Sequence, residues 1–407
     1  MSHIVAMLEL EQALEQILSA VPAPTTENVP VGEALGRILT DPILSPLDLP
    51  VFDNSAMDGY AVRAEDIVGA RADAPVRLRV TGRVAAGESF SGEVSSGSCV
   101  RLFTGSPLPR GADAVVMQED TMVPQNAPLE ILVLEPARPG ENVRRQGEDI
   151  RKGTVLGQPG DGVGFAQVAL LSAAGVARLQ VGRRPRVGVL ASGSELKELG
   201  EPLGPGQIYE SNRVMLSSLV QRAGAMARVL PLVPDALEAT RGALERAFSD
   251  CDAVLTSGGV SVGEMDFLKQ AFADAGGDLQ FWKVAIRPGR PFVFGRRKGK
   301  LLFGLPGNPV SALVTFLLLV RPALLRWQGA TELALPAYPG VLAEPLSNPG
   351  NRRHFMRVRM DPGGKVYSAG AQASHMLSSL ARAHGLIDAA PEVSLPAGAL
   401  VSVMRWD

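Results

Sequence analysis

The chain has 407 residues, 46% of them hydrophobic, 20% charged and 5% aromatic, with a formal net charge of −2. This length exceeds one ordinary core, and the composition is that of two to four globular domains, not of a disordered chain. With no basic excess and few aromatics, neither a nucleic-acid surface nor a base-stacking platform is expected. The longest apolar run, Ala312–Val320, is interrupted by Thr315 and followed by Arg321 and Pro322, too short to span a bilayer. Acids at Glu9, Glu11 and Glu15 and no basic leader argue against a signal peptide, so a cytoplasmic protein is expected. Cys99 and Cys251 form no disulfide or metal pattern, and His3, His354, His375 and His384 have no metal-ligand spacing.

In chain order, Leu8, Leu10, Ala13, Leu14, Ile17 and Leu18 cluster on one face of an expected amphipathic helix. A short helix around Val31–Leu39 and an extended, proline-bearing Ser45–Val51 follow. Residues 53–143 read as a small β domain, with strands at Val76–Thr81, Cys99–Phe103, Ala114–Gln118 and Leu129–Leu134. It is inserted into a mixed linker domain made of residues 1–52 and 144–180, which contains a helix from Phe165 to Ala174 ended by Gly175. Residues 181–328 alternate strand and helix. Strands are expected at Arg186–Ala191, Val229–Val233, Asp252–Thr256, Leu279–Ile286, Pro291–Phe294 and Lys300–Leu305. Helices are expected at Asn212–Ala223, from Asp235 through Phe248, at Asp266–Ala275 and after Asn308. This pattern predicts a doubly wound, mostly parallel sheet with its ligand at the strand C-termini. Residues 329–407, with strands at Phe355–Met360 and Leu400–Arg405, read as a C-terminal β domain. The fold class is thus multidomain α/β plus β.

The most informative stretch is Thr256–Asp266, Thr-Ser-Gly-Gly-Val-Ser-Val-Gly-Glu-Met-Asp. Its glycines allow a sharp turn and close approach to a ligand, and successive N–H groups in such a turn form an anion nest. A second loop, Pro306-Gly307-Asn308-Pro309, opens a helix with Asn308 as N-cap and Pro309 at the first helical position. Two anion cradles point to a phosphorylated ligand. Glu195, Asp235 and Asp266 fall at strand ends, where convergent carboxylates beside phosphate read as a magnesium site. Asp235 equally reads as a helix N-cap, and the other two as solvated loop acids. Lys283 and Arg287, four apart on an extended segment, and Arg290 suit an oxyanion, or else a solvated edge-strand cluster. Two polar segments, Asp53–Ala61 and Asn142–Ile150, are by composition only turns.

Taken together, Ser-Gly-Gly-Val-Ser-Val-Gly, Leu-Pro-Gly-Asn-Pro-Val-Ser, Asn-Ser-Ala-Met-Asp-Gly-Tyr-Ala and Arg-Arg-Gln-Gly-Glu-Asp-Ile resemble the molybdopterin molybdenumtransferase family over nearly the whole chain. The E domains of gephyrin and of its plant counterpart belong to that family. The resemblance implies an elongated homodimer of four-domain subunits, with a C-terminal β-barrel-like domain. It implies magnesium-dependent release of AMP from adenylylated molybdopterin as molybdate delivers molybdenum. A molybdopterin adenylyltransferase would supply the substrate, and molybdoenzymes or their chaperones would accept the product.

Carried onto this sequence, the resemblance makes Asp58, Thr104, Asp149, Glu195, Asp235 and Asp266 residues tied to activity, with Asp235 and Asp266 on the metal. Ser257, Gly258, Gly259, Ser261, Lys283, Arg287, Pro306, Gly307 and Asn308 would bind the pterin nucleotide. Arg287 and Arg290 stand where lysines are usual. Molybdate would meet Arg290, Ser311, Ser374 and one of Arg352, Arg353 and Arg357, with Arg353 preferred. A molybdopterin adenylyltransferase, which needs only the α/β domain, and a non-enzymatic molybdopterin-binding scaffold are the competing readings. From the residues alone, a generic sugar-phosphate or nucleotide binder also fits.

Overall fold

The computed structural model describes residues 7–85, 87–259 and 267–406. The expected strand and helix alternation folds into a six-stranded sheet. Its order is Met226–Val229, Arg186–Ala191, Ala253–Ser257, Lys300–Leu305, Pro291–Arg297, Asp278–Lys283. The first four strands are parallel, and the last two run as antiparallel neighbours. The central strands are buried on both faces, which is why they read as continuous apolar runs. Val187, Val189, Ala253, Leu255, Leu301 and Phe303 point into one core, and Leu190, Val254 and Leu302 into another. Helix Asn212–Arg222 packs on the first face, and Leu237–Asp250 and Phe267–Asp274 on the second. Phe281, Phe292, Phe294 and Phe303 interleave with ring centroids 5.5 to 6.0 Å apart. Each such buried ring stabilises the sheet by roughly 1.5–3 kcal/mol relative to exposure.

The second strand differs from expectation. Of the expected Val229–Val233 only Val229 lies in a strand: the strand is Met226–Val229, an edge whose Met226 and Val229 are half exposed, and Val233 adds a single parallel bridge to Ser192. Pro231 and Pro234 bracket the apolar residues that suggested a strand there, and proline cannot donate to the ladder. The expected short helix Val31–Leu39 is reduced to a 3₁₀ turn, Val31–Glu33. Helix Leu10–Ala20 buries Leu10, Ala13 and Ile17 in the α/β core, although its position in the chain groups it with the N-terminal segment.

The helix after Asn308 runs, through a π turn at Phe316–Val320, from Pro309 to Trp327. By length and composition it would cross a membrane, but 78% of its apolar window is buried inside the protein, so it is a core helix.

Strand Thr26–Pro30 pairs with Arg178–Gly182, and Ile43–Leu44 with Val155–Gly157. Between them lies a second six-stranded sheet drawn only from residues 59–133. The C-terminal strands close into a barrel, because Arg353–Met360 pairs with both Lys365–Ser368 and Gly385–Ala389. A short strand of the α/β domain, Ile286–Arg287, joins this barrel in parallel register with Arg353 and His354.

Candidate anion-binding site

The two glycine loops meet at the C-terminal rim of the α/β sheet. Gly258 has φ +87, and a Cβ there would lie 2.6 Å from the Ser192 carbonyl, so only glycine lets the loop press against its neighbour. Ser192 donates its N–H to the Ser257 carbonyl at 3.1 Å, and Gly258 donates to Leu305 at 3.2 Å. Ser261 and Asp266 lie outside the described residues. Asp235 accepts the Ser194 N–H at 3.1 Å and donates its own backbone N–H to Ser194 Oγ at 3.3 Å. It therefore braces the first loop and does not cap its helix, whose cap is Ala236. Glu195 is exposed on the same loop. Among the described residues, no group of three or more His, Cys, Asp or Glu is placed to hold a metal.

Asn308 starts its helix, as expected, but its side chain makes no cap. It donates instead to Ser374 Oγ at 3.1 Å, and the Val310 N–H donates to the Ser374 carbonyl at 3.2 Å. The C-terminal barrel thus sits directly on the second cradle. Pro306 is buried, Gly307 is exposed, and Ser311 is buried one turn into the helix.

At the same junction lie the basic residues. Lys283 ends one strand and Arg287 belongs to another, so the four-residue spacing does not run along one extended segment. The turn Pro288-Gly289-Arg290 packs on the helix. Gly289 has φ +109, and a Cβ there would lie 2.6 Å from Thr315 Cγ2. Arg353 is ion-paired with Asp388 and Glu11, which raises its pKa and commits its charge. Arg352 is the one that meets Arg287 and Arg290. Burial first, then the fields of those two guanidiniums, lowers its pKa. It donates to the Ile286 carbonyl at 3.0 Å. Among the described residues, none of Arg287, Arg290 and Arg352 pairs with a carboxylate.

Behind them, His354 is buried with both ring nitrogens unpartnered. Its pKa falls to about 4, through burial first and then through Arg287, Arg357 and Arg352. Arg357 is wholly buried. It donates to the Ala371 and Ala373 carbonyls and to Ser379 Oγ, at 2.7, 3.1 and 3.0 Å, and so holds the loop that presents Ser374. Asn348, also buried, donates to the Arg352 carbonyl at 2.8 Å and fixes the turn before it. Asn348, His354 and Asn212 escape sequence reasoning, because an isolated buried polar residue leaves no periodic signal, whereas Arg352 is one of the three arginines the sequence offers but not the preferred one.

The polar segments of the β domain form a separate hub. Asp58 Oδ1 accepts both the backbone N–H and the hydroxyl of Thr104, each at 2.8 Å, and these bonds hold its carboxyl below the usual range. The two polar segments pair as strands, Val143 with Ser55 and Arg144 with Asn54. Asp53 accepts from Gln146 N at 2.7 Å and from Arg145 Nη1 at 2.8 Å. Asp149 is exposed beside this pairing, its N–H bonded to Leu49 O at 3.1 Å. No hydrogen bond or ion pair among the described residues joins residues 53–143 to residues 184–328. The thiols take no part: both are buried, and burial pushes Cys99 up to about 12.

A sheet rim shaped for phosphate, abutting a barrel whose Arg352 joins Arg287 and Arg290 of the α/β domain with no carboxylate partner among the described residues, defines a multidomain α/β protein for anionic small molecules. Comparison makes this specific. Residues 8–175 match the family model for the MoeA N-terminal region (domain I and II), residues 188–326 that for a probable molybdopterin binding domain, and residues 339–406 that for the MoeA C-terminal region (domain IV). The chain is 39% identical to a molybdopterin molybdenumtransferase of Haemophilus influenzae over 387 residues, 94% of each protein. It is 42% identical to molybdopterin molybdenumtransferase 2 of Mycobacterium tuberculosis over 385 residues, 93% of this chain and 94% of that one. A crystal structure of the molybdopterin biosynthesis moeA protein of Pyrococcus horikoshii superposes with a TM-score of 0.83 at 31% identity, covering 98% of this chain and all of that one. The chain belongs to the molybdopterin molybdenumtransferase family.

Proposed function

We propose that this enzyme inserts molybdenum from molybdate into adenylylated molybdopterin, with release of AMP and formation of molybdenum cofactor. The observation that carries the reading is the arginine set Arg287, Arg290 and Arg352, paired with no carboxylate among the described residues, beside a glycine cradle in a chain of this family. Arg287 and Arg290 are exposed and Arg352 is half-buried, so their charges stand open to an anion, and a divalent tetrahedral oxyanion relieves their mutual repulsion. Molybdate would lie between these guanidiniums, Ser311 and Ser374, with Arg352 in the role first given to Arg353. The loop Ser257–Gly259 and the Gly307–Asn308 turn would hold the phosphate and pterin side. Positioning of the two anions against each other would supply most of the rate.

Asp235 offers one carboxylate oxygen not used by Ser194, which fits a magnesium ion held by one or two carboxylates, phosphate oxygens and water. Magnesium would offset phosphate charge there. Among the described residues, no hydrogen bond or ion pair joins the Asp58–Thr104 pair to the α/β domain of its own chain, which supports a homodimer in which it faces the partner's cradle. Exposed apolar residues of the linker domain fit the dimer contact: Phe165 is 82% exposed, and the cross-strand partners Leu44 and Val155 are both exposed. A cytoplasmic setting, with an adenylyltransferase upstream and molybdoenzymes or their chaperones downstream, completes the proposal.

The test is to incubate purified protein with adenylylated molybdopterin, magnesium and either molybdate or tungstate, then measure AMP and active cofactor. Oxyanion-dependent AMP release is expected, and its absence overturns the reading. Asp266→Ala should abolish the magnesium-dependent part; undiminished AMP release in that variant removes the metal assignment.

A further inference from the structure

Helix Asn212–Arg222 begins between the two glycine loops, and its first residue is 8% exposed. The Asn212 amide nitrogen donates to Ser257 Oγ at 2.8 Å and to the Gly307 carbonyl at 2.6 Å. A carbonyl only accepts, so the Gly307 contact fixes which end of the amide is nitrogen. Both amide hydrogens are therefore committed, one to each cradle. Ser257 Oγ accepts from Asn212, and its own proton stays available to donate. Asn212 Oδ1 is buried without a partner among the described residues. A buried acceptor left unsatisfied costs stability, so one kept at a ligand rim points to a ligand donor.

The residue cannot swing away. The next residue, Arg213, is 5% exposed and bonds Glu210, 4% exposed, at 3.0 Å. It also bonds Glu198 at 2.7 Å and the Leu230 carbonyl at 2.6 Å. This buried pair clamps the helix start to the loop that follows Glu195.

We infer that Asn212 is a positioning residue. It sets the gap between the two cradles and makes the Ser257 hydroxyl a donor to the phosphorylated pterin substrate, while its Oδ1 accepts from a donor on that ligand. The inference rests on the reading of these loops as the pterin-nucleotide cradle. Asn212→Asp keeps the shape, removes both donors and sets an oxygen against the Gly307 carbonyl. Its KM for adenylylated molybdopterin should rise at least tenfold, with kcat and the KM for molybdate within about threefold. Asn212→Ser, with one shorter donor, should fall between, and it serves if the aspartate variant does not fold. In a double-mutant cycle, Asn212→Ala should cost much less in a Ser257→Ala background than alone.

If Ser257→Ala raises the KM while every Asn212 variant leaves it unchanged, the inference falls and the cradle stands. If Ser257→Ala also leaves it unchanged, the cradle reading itself falls. Equal losses in kcat and both KM values, together with a lower Tm, would show a purely structural role and overturn the inference.

Discussion

The β-domain hub and the arginine junction are opposites in their wiring. Around Asp58 and Asp53 the acids are matched by donors: Thr104 gives two hydrogen bonds, and Gln146 and Arg145 give one each. At the junction, among the described residues, three guanidiniums share space without a carboxylate, and both nitrogens of His354 and Nη1 of Arg357 are buried without partners. Hydrogen-bonded acids of the first kind stabilise the fold that contains them. Unmet charge of the second kind costs stability, and it is kept where a ligand completes it.

Removing Arg352 separates the two kinds of wiring most sharply. Arg352→Ala should lower oxyanion-dependent AMP release at least a hundredfold, with Tm unchanged or raised because repulsion is relieved. Arg353→Ala breaks the pairs with Asp388 and Glu11 and should do the reverse. It should lower stability by about 1 kcal/mol while changing the molybdate KM little. Steady-state kinetics and thermal melts of both variants decide the matter. If Arg353→Ala proves the inactive one, the assignment of the oxyanion arginine is inverted.

Asp58→Asn should reduce turnover about tenfold and leave the fold intact, since the side chain stays the same size. The proposed homodimer gives a sharper version. Mixing Asp58→Asn subunits with Arg290→Ala subunits should restore activity, because one of the two clefts in a mixed dimer would have both halves intact. No recovery after verified subunit exchange would place the hub and the junction of one chain in the same cleft.

How far the sequence reaches follows from the same contrast. Strands such as Arg186–Ala191 and Lys300–Leu305 are legible to the residue, because a doubly buried strand is a continuous apolar run. The cradles are legible because Gly258 is needed for close backbone approach and Asn308-Pro309 marks a helix start. Met226–Val229 is not legible, since an edge strand carries little apolar signal and the prolines around Leu232 mimic its neighbour. The spacing of Lys283 and Arg287 misleads, because the chain leaves one sheet for another between them. Arg352 and Arg353 are indistinguishable in sequence. What separates them is that Asp388 and Glu11, distant along the chain, stand beside only one.

His354 supplies the finest measure of the unmet charge. Its pKa falls from 6.5 to about 4 in the folded protein. Above pH 6.5 the ring is neutral in both states and does not affect stability. Between 6.5 and about 4 the unfolded chain binds a proton that the folded chain refuses, so stability falls as pH falls. Burial is the first cause, but the fields of Arg287, Arg357 and Arg352 add to it, and a divalent oxyanion held among those guanidiniums cancels part of the field. Saturating molybdate or tungstate should therefore raise the His354 pKa by about half a unit, or about 0.7 kcal/mol of linkage. Urea denaturation from pH 7 to pH 4, with and without the oxyanion, should show a shallower loss of stability in its presence. A His354→Gln variant should lose that difference. An oxyanion effect that is the same at every pH and survives in His354→Gln would place the anion away from these arginines.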